Sequence, residues 1–435
     1  MNFAKSKALQ AKFHSIVPGG SHTYAKGDDQ YPERMPVYLA RGKGSHVWDI
    51  DGNEFIEYGM GMRSVTLGHA HDSVVEAAYR QMRLGNNFVR PCPIELECAE
   101  TLQAFIPAGE MVKFAKHGSD ATSAAIKLAR AFAGRDLVAV CADHPFFSVD
   151  DWFIGSTPMS GGIPKAVQQL TLRFRYNDLN SLRKLFADYP ARIAAVILEV
   201  EREDAPAPGF LASLKELCAK EGAVLIFDET ITGFRWHNGG AQHFHSVTPD
   251  LSTFGKALGN GFSVSALVGR RDIMKLGGLD HDRERVFLLS TTHGAEHHAL
   301  AAAIETMRIY RDEPVVETLW RQGRLLAEGI TRVVRELGME DYFKLRGQPC
   351  CLSYATLDQE RKPSQEFRTL FLQETMRHGL LMPSLVISYS HSAEDVQRTI
   401  DGITAALRIY ARALEQGIDR FLEGSPVKPV FRKFN

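Results

Sequence analysis

Short, mainly apolar runs alternate with helical patterns through the middle of the chain. Residues 138–141, 194–199 and 224–227 are such runs, rich in β-branched residues or Leu, as in strands buried on both faces. Between the last two, residues 211–221 have apolar positions at helical spacing, and Gly222 follows as a helix stop. The alternation predicts an α/β fold with a mostly parallel central sheet flanked by helices.

The two ends of the chain follow a different pattern. Residues 46–48 and 54–56 predict two strands of a small antiparallel unit, joined by a turn at Asp51-Gly52. Near the other end, residues 315–337 and 393–414 predict two long helices flanking short strands.

This contrast predicts two domains. We expect a large domain over residues 66–310. A smaller α+β domain would be assembled from both chain ends, residues 1–65 and 311–435.

Composition narrows the class of protein. Of the 435 residues, 44% are hydrophobic and 24% charged, which is typical of a globular protein. The 51 basic and 52 acidic residues nearly cancel, so neither nucleic acid nor an anionic membrane is expected as a partner. The six cysteines have neither disulfide-framework nor zinc-ribbon spacing. With no signal region after Met1 and no membrane-spanning apolar run, we expect a cytoplasmic protein.

The segment Leu225-Ile226-Phe227-Asp228-Glu229-Thr230 predicts a buried strand that ends in two carboxylates, those of Asp228 and Glu229. Ligands of open α/β sheets lie at the carboxyl ends of strands, where a carboxylate can hold a cationic group. Taken alone, this pattern is better explained by a helix cap or an acidic residue in a surface turn.

Lys256 follows Gly255, and further glycines come at positions 259 and 261. A desolvated lysine loses its proton readily, and its free amine attacks aldehydes. Flanking glycines let a flat ligand approach the backbone. A lone lysine is otherwise usually a solvated surface charge.

A third motif, His117-Gly118-Ser119-Asp120, precedes a helical pattern. Free backbone N–H groups, a hydroxyl and the positive end of a helix dipole suit a phosphate. A plain helix cap would use the same residue types.

In chain order, a phosphate cradle, a strand-end aspartate and a glycine-flanked lysine are the parts that pyridoxal 5'-phosphate (PLP) needs. The chain resembles the class III aminotransferases of PLP fold type I, and among them the glutamate-1-semialdehyde aminomutases, over nearly its whole length. The matching segments are Val17-Pro18-Gly19-Gly20, Trp48-Asp49-Ile50-Asp51-Gly52-Asn53, Leu67-Gly68-His69-Ala70-His71, Ile226-Phe227-Asp228-Glu229, Thr232-Gly233-Phe234-Arg235 and Phe254-Gly255-Lys256.

The resemblance implies a role for each core residue. Lys256 would hold PLP as a Schiff base and carry a proton between substrate and cofactor. Asp228 would pair with the pyridine nitrogen, and Gly118 and Ser119 would bind the phosphate.

Three further cofactor contacts follow from the same resemblance. Thr230 falls where the family has an aliphatic residue packed on the ring, and Phe146 is the candidate for the stacked aromatic. Thr292 matches a threonine that reaches the phosphate of the neighbouring subunit, which implies a homodimer with shared active sites.

The chain departs from the family at positions that concern the substrate. Lys26 stands where the semialdehyde mutases have an arginine for the substrate carboxylate, and lysine cannot make the same bidentate fork. Met62 replaces a nearby tryptophan, and Arg63 follows it. We expect Lys26 or Arg63 to meet an anionic group of a different substrate, although Arg63 equally fits a structural ion pair.

Two other segments are open to two interpretations. Residues 148–164 correspond to the active-site loop of the mutases and fit either a lid or an ordinary surface loop. His293 and His297 are four residues apart but lack the order of a zinc-binding motif, so no metal is expected.

These features predict a PLP-dependent aminotransferase that acts on a carbonyl-bearing metabolite, for which a sugar or sugar-derived acceptor fits the changed arginine site. The alternative is an aminomutase that shifts the amino group within one molecule. A catalytically retired PLP-fold binding protein is a third reading, against which the presence of both Lys256 and Asp228 argues.

Overall fold

The computed structural model describes residues 1–106 and 108–434. The helices are α1 (Ala4–Ile16), α2 (Met60–Arg63), α3 (Asp72–Leu84), α4 (Pro93–Phe105), α5 (Gly118–Ala133), α6 (Asp151–Ile154), α7 (Lys165–Gln168), α8 (Leu179–Asp188), α9 (Phe210–Glu221), α10 (Gly240–Phe244), α11 (Arg271–Met274), α12 (His297–Asp312), α13 (Val315–Glu336), α14 (Gln365–Arg377) and α15 (Ala393–Gln416). The strands are β1 (Leu39–Lys43), β2 (His46–Asp49), β3 (Glu54–Glu57), β4 (Met111–Ala115), β5 (Leu137–Cys141), β6 (Thr171–Phe174), β7 (Ile193–Glu199), β8 (Val224–Asp228), β9 (Leu251–Phe254), β10 (Ser265–Gly269), β11 (Phe343–Arg346), β12 (Ser353–Thr356) and β13 (Leu380–Leu381).

One compact unit comprises Asp72–Val316 and is organised around a seven-stranded sheet. Its strand order is β4-β10-β9-β8-β7-β5-β6, in which β10 runs antiparallel to both neighbours and the remaining pairs are parallel. Every residue of β5, β7, β8, β9 and β10 is buried. The expected α/β fold with a mostly parallel sheet is confirmed.

The predicted elements of this sheet agree with the structure to within one residue at each end. The three apolar runs are β5, β7 and β8, and the helical pattern between the last two is α9. Gly222 ends α9 with a left-handed φ of 66°, a conformation that glycine adopts without steric cost.

The other compact unit comprises Met1–His71 and Glu317–Arg432. Its main sheet has the order β1-β2-β3-β13, and β2 and β3 form the predicted hairpin, with Val47 opposite Phe55. Those two side chains belong to a buried apolar cluster with Phe3 and Met35, and the cluster also draws Met376 and Leu381 from the other chain end.

Within the described residues, no helix combines the length and the apolar character that a membrane span requires.

Candidate active site

The loop before α5 is shaped by the carboxylate of Asp120. It accepts hydrogen bonds from the backbone N–H groups of Lys116 (3.2 Å) and His117 (3.0 Å). Helix α5 therefore begins at Gly118, and the N–H groups of Gly118 and Ser119 lie in its first turn, where they have no partner within the helix. This arrangement suits a phosphate at the positive end of the dipole.

Thr230 lies between the start of α5 and the lysine segment. A Cβ atom placed on Gly118 would lie 3.0 Å from Thr230 Cγ2, and one on Gly255 would lie 3.4 Å from the same methyl group. Thr230 Oγ1 is buried and makes no hydrogen bond with any residue that the structure describes. An added side-chain carbon at Gly118 or Gly255 would fill the space beside Thr230, and the Thr230 hydroxyl is buried without a partner among the described residues. Both features are expected of a ligand site.

Asp228 ends β8, with only 5% of its surface exposed. Its Oδ1 accepts from the Thr230 N–H (2.9 Å) and from Thr253 Oγ1 (3.0 Å). Oδ2 makes no hydrogen bond with the described residues and is available to a cation such as a protonated ring nitrogen. Burial, followed by the nearby carboxylate of Glu199, raises the pKa of Asp228, whereas the ammonium of Lys256 opposes this rise.

Lys256 comes two residues after β9 and has a left-handed φ of 45°. Its side chain is partly buried, and its charge lowers the pKa of both Asp228 and Glu199. The lysine therefore lies among the buried carboxylates. Together with Gly118 and Thr230, it forms a cluster within one compact unit.

Phe146 follows β5 and remains 41% exposed. Its ring meets that of Phe153 edge to face, with centroids 5.9 Å apart. Phe146 is thus exposed enough to stack with a flat ligand.

The segment after Phe146 is bound to the first turns of α5. Thr122 Oγ1 donates to the Phe147 carbonyl oxygen (2.7 Å), and the Val149 N–H donates to Ser119 Oγ (3.2 Å). The same helix therefore begins at the candidate phosphate cradle and positions the candidate stacking residue.

The first part of the expected lid, residues 148–164, is held in place by contacts with α5. Trp152 and Phe153 are buried, and Trp152 Nε1 donates to Ser123 Oγ at 2.8 Å. Anchoring by α5 leaves only residues 155–164, which contain the glycines, as the part that could act as a lid.

The two candidate substrate residues belong to the other compact unit. Lys26 is exposed at the end of a single 3₁₀ turn. Arg63 is partly buried and ends a run of four residues with positive φ: 42° at Met60, 56° at Gly61, 59° at Met62 and 71° at Arg63. Left-handed backbone at three non-glycine residues is strained, and such strain concentrates at functional sites.

Thr292 has an exposed side chain, and its carbonyl oxygen accepts from Asn87 Nδ2 at 2.9 Å. Nearby, His293 contacts Glu296 (3.1 Å) and His297 contacts Glu95 (3.4 Å). The two histidines thus pair with different carboxylates. No group of three potential metal ligands occurs among residues 1–106 and 108–434.

Comparison with known proteins decides the family. A sequence model of the class-III aminotransferases matches residues 27–398. The chain belongs to the class-III aminotransferase family. Glutamate-1-semialdehyde 2,1-aminomutase of Pelodictyon phaeoclathratiforme is 34% identical over 425 residues, which cover 91% of this chain and 96% of that protein. Relatives from other organisms, 30–35% identical, carry the same name.

Solved structures agree with this assignment. The Sphingopyxis sp. MTA144 FumI protein, in its PLP internal aldimine form, has a TM-score of 0.87 and 26% identity, covering 95% of this chain and 98% of that one. An omega-transaminase from Sphaerobacter thermophilus has a TM-score of 0.85 and 27% identity, covering 95% and 100%. The expected PLP fold type I is confirmed.

Class-III aminotransferases are PLP enzymes, so this chain is a PLP-dependent enzyme that acts on small molecules. The cluster of Gly118, Asp228, Thr230 and Lys256 fits the cofactor, since it offers a phosphate cradle, a buried carboxylate with an available oxygen and an amine.

Two polar residues of this cluster were missed in the sequence. Thr253 is the β9 partner of Asp228, and Glu199 is its β7 partner. Counting back from the ends of consecutive parallel strands would have indicated both, because such strands end along the same edge of the sheet.

Proposed function

We propose that the protein is an aminotransferase that moves an amino group from an amino donor to a carbonyl-bearing metabolite, with Lys256 as the residue that holds PLP. The observation that carries the proposal is the grouping of Gly118, Thr230 and the lysine segment, because a Cβ on either Gly118 or Gly255 would meet the same Thr230 methyl group. The charge of Lys256 also acts on Asp228, whose Oδ2 makes no hydrogen bond with the described residues.

Bound PLP supplies an aldehyde and a ring that accepts electrons from the substrate. Lys256 Nζ would hold the aldehyde of the bound cofactor and, as a free amine, would move the proton of the substrate carbon. Asp228 Oδ2 holds a proton at the ring nitrogen, while Thr253 Oγ1 fixes the orientation of its carboxylate. Gly118 and Ser119 bind the phosphate.

The aromatic segment completes the cofactor site in this proposal. Phe146 would stack on the ring and limit the access of water. Thr230 would also contact the cofactor, since its methyl group lies close to both Gly118 and Gly255.

We also propose that two copies of the chain form a homodimer with shared sites, in which Thr292 of one copy reaches the phosphate of the other. The exposure of Thr292 supports this proposal. A stripe of exposed apolar residues on α3 supports it as well, because Val75, Tyr79 and Met82 recur at helical spacing with 45%, 50% and 52% of their surface exposed. Light scattering measures the mass in solution, and a monomer that retains PLP would contradict the proposal.

The proposed acceptor is a sugar or sugar-derived carbonyl compound with an anionic group. Its support is the replacement of the mutase arginine by Lys26, together with the strained backbone that presents Arg63. Substituting Lys26 and Arg63 separately with Gln, and measuring donor and acceptor half-reactions, tests which step each residue serves. If neither substitution changes either half-reaction, the acceptor proposal is wrong.

The second candidate is an aminomutase that moves the amino group within one molecule. The names of the relatives, at 30–35% identity, favour it over the sugar acceptor. The two functions differ in stoichiometry, because only an aminotransferase consumes an external donor such as glutamate and releases one keto acid per amino group transferred.

The proposal on Lys256 is tested by reduction with borohydride. Purified protein saturated with PLP should show a visible absorbance band, which borohydride removes as PLP becomes linked to a lysine. Peptide mass spectrometry should then place the label on Lys256. The Lys256→Ala variant should bind PLP without the reducible band, and the control Lys220→Ala, which alters an exposed lysine, should behave as wild type. A label on another lysine would refute the proposal.

A further inference from the structure

Glu199 and Asp228 stand side by side on neighbouring strands. Glu199 ends β7, Asp228 ends β8, and their Cα atoms are partners in the parallel register. Register partners project to the same face of a sheet, so the two carboxylates face the same region. Both are buried, with 3% and 5% of their surface exposed.

Arg202 is the cation that contacts Glu199 directly. Its Nη1 lies 2.7 Å from Glu199 Oε1. The other oxygen, Oε2, is buried and makes no hydrogen bond with any residue that the structure describes. The Glu199 backbone N–H donates to His144 Nδ1 at 3.1 Å. A buried acid with one direct cationic partner depends on that partner for its charge.

The charges around Glu199 keep it ionised. Burial opposes ionisation, but Arg202, then His144 and Lys256, outweigh it and lower the pKa of Glu199. The resulting negative charge in turn contributes to the raised pKa of Asp228, after burial.

Arg202 reaches Glu199 from outside the buried cluster. Its side chain is 23% exposed and lines a cleft of about 630 Å³ at the carboxyl ends of β5, β6 and β7. Arg175 lines the same cleft and is exposed, and its side chain has no ion pair among the described residues. Of the two arginines in this cleft, Arg202 therefore contacts Glu199 and Arg175 does not.

We propose that Arg202 is a positioning residue that acts on the cofactor through Glu199: it holds the Glu199 carboxylate charged beside Asp228, and that charge strengthens the binding of the protonated ring nitrogen of PLP. The inference rests on the proposed roles of Asp228 and Lys256.

Removing the guanidinium should leave Glu199 buried without its direct cation, so that it takes up a proton. The negative potential beside Asp228 then falls, because Glu199 is the register partner of Asp228 and its charge acts on the Asp228 pKa, whereas Arg202 contacts Glu199. Cationic groups on the bound cofactor become easier to deprotonate, and PLP binds less tightly.

The test compares Arg202→Met with Arg175→Met as a matched control. For each variant, the dissociation constant of PLP and the pH midpoint of the absorbance band of the bound cofactor are measured. Arg202→Met should weaken PLP binding roughly tenfold and lower the midpoint by about one unit, since one pKa unit corresponds to a tenfold change in equilibrium. Arg202→Lys should restore most of both values, and Arg175→Met should match wild type.

Glu199→Gln distinguishes action through the carboxylate from a general effect on folding. It should reproduce the changes of Arg202→Met, and the double variant should show no further change. If Arg202→Met matches Arg175→Met, or if its effect persists undiminished in the Glu199→Gln background, the inference is overturned while the proposed function stands. A wild-type protein without a reducible band on Lys256 would overturn both.

Discussion

Thr253 and Asp228 are joined by a hydrogen bond across the neighbouring strands β8 and β9. The Thr253 hydroxyl donates to Asp228 Oδ1 at 3.0 Å, and the two residues are Cα partners. Both residues are buried. The bond therefore fixes the orientation of the carboxylate at a place where water could not take over the role of the Thr253 hydroxyl. Oδ2 is thereby held toward whatever cation the site receives.

Replacing Thr253 by Val should weaken PLP binding by roughly 2- to 12-fold, since a net hydrogen bond contributes about 0.5–1.5 kcal/mol. Valine has the same shape, so the fold should be retained. Equilibrium dialysis against PLP measures the effect. Thr253→Ser keeps the hydroxyl and serves as the control; equal affinities of the two variants would show that the bond does not orient Asp228.

Replacing Gly118 by Ala should also weaken PLP binding, because the new Cβ would lie 3.0 Å from Thr230 Cγ2 and 3.1 Å from its Oγ1. Overpacking of this kind costs about 1–3 kcal/mol, which corresponds to a loss of affinity of roughly fivefold or more. Thr230→Ser removes the closest methyl group. Gly118→Ala should therefore weaken PLP binding less in the Thr230→Ser background than in the wild-type protein. No recovery would mean that the crowding lies elsewhere.

Replacing Phe146 by Ala should lower the affinity for PLP by roughly 2- to 12-fold, because stacking contributes about 0.5–1.5 kcal/mol beyond burial. Phe146→Tyr keeps the aromatic face and should bind as wild type. Phe244→Ala, at another exposed aromatic ring, controls for nonspecific effects. Unchanged binding by Phe146→Ala would assign the stacking to another residue.

His391 should make the stability of its unit depend on pH. Burial lowers the pKa of His391 to about 4, with His46 adding to the effect and Asp395 opposing it. The folded state thus favours the neutral ring, and the stabilisation is present above the unfolded value of about 6.5 and lost as the pH falls from there toward 4. Two to three pKa units correspond to about 3 kcal/mol.

The His391→Phe variant cannot titrate at this position. Urea unfolding of wild type and variant at several pH values between 4 and 7 should show a smaller loss of stability on acidification for the variant. Parallel curves over that range would show that His391 does not contribute to acid unfolding.

The sequence was a good guide to the elements that local patterns determine. Continuous apolar runs located β5, β7 and β8, and an Asp-Gly turn located the β2–β3 hairpin. One strand-end residue, Asp228, was found because ligands lie at the carboxyl ends of parallel strands, whereas Glu199 at the end of β7 was missed. Asp228 was therefore a candidate before its neighbours were known.

Contacts between segments that are distant in the sequence could not be predicted from local patterns. The bond from Thr122 to the Phe147 carbonyl spans 25 residues, and no local pattern marks either partner. The left-handed run ending at Arg63 contains Met60 and Met62, and their side chains disfavour that conformation, so only tertiary structure could reveal it. The ion pair of Arg202 with Glu199 was missed because a charge three residues beyond a strand is usually a solvated one.

The backbone at Lys256 has a consequence for the stability of the protein. A lysine with a φ of 45° costs about 1–3 kcal/mol, whereas glycine would adopt the same conformation without that penalty. A Lys256→Gly variant should therefore lose the amine while escaping this backbone strain, so the residue that the proposed chemistry requires is one that the local conformation disfavours.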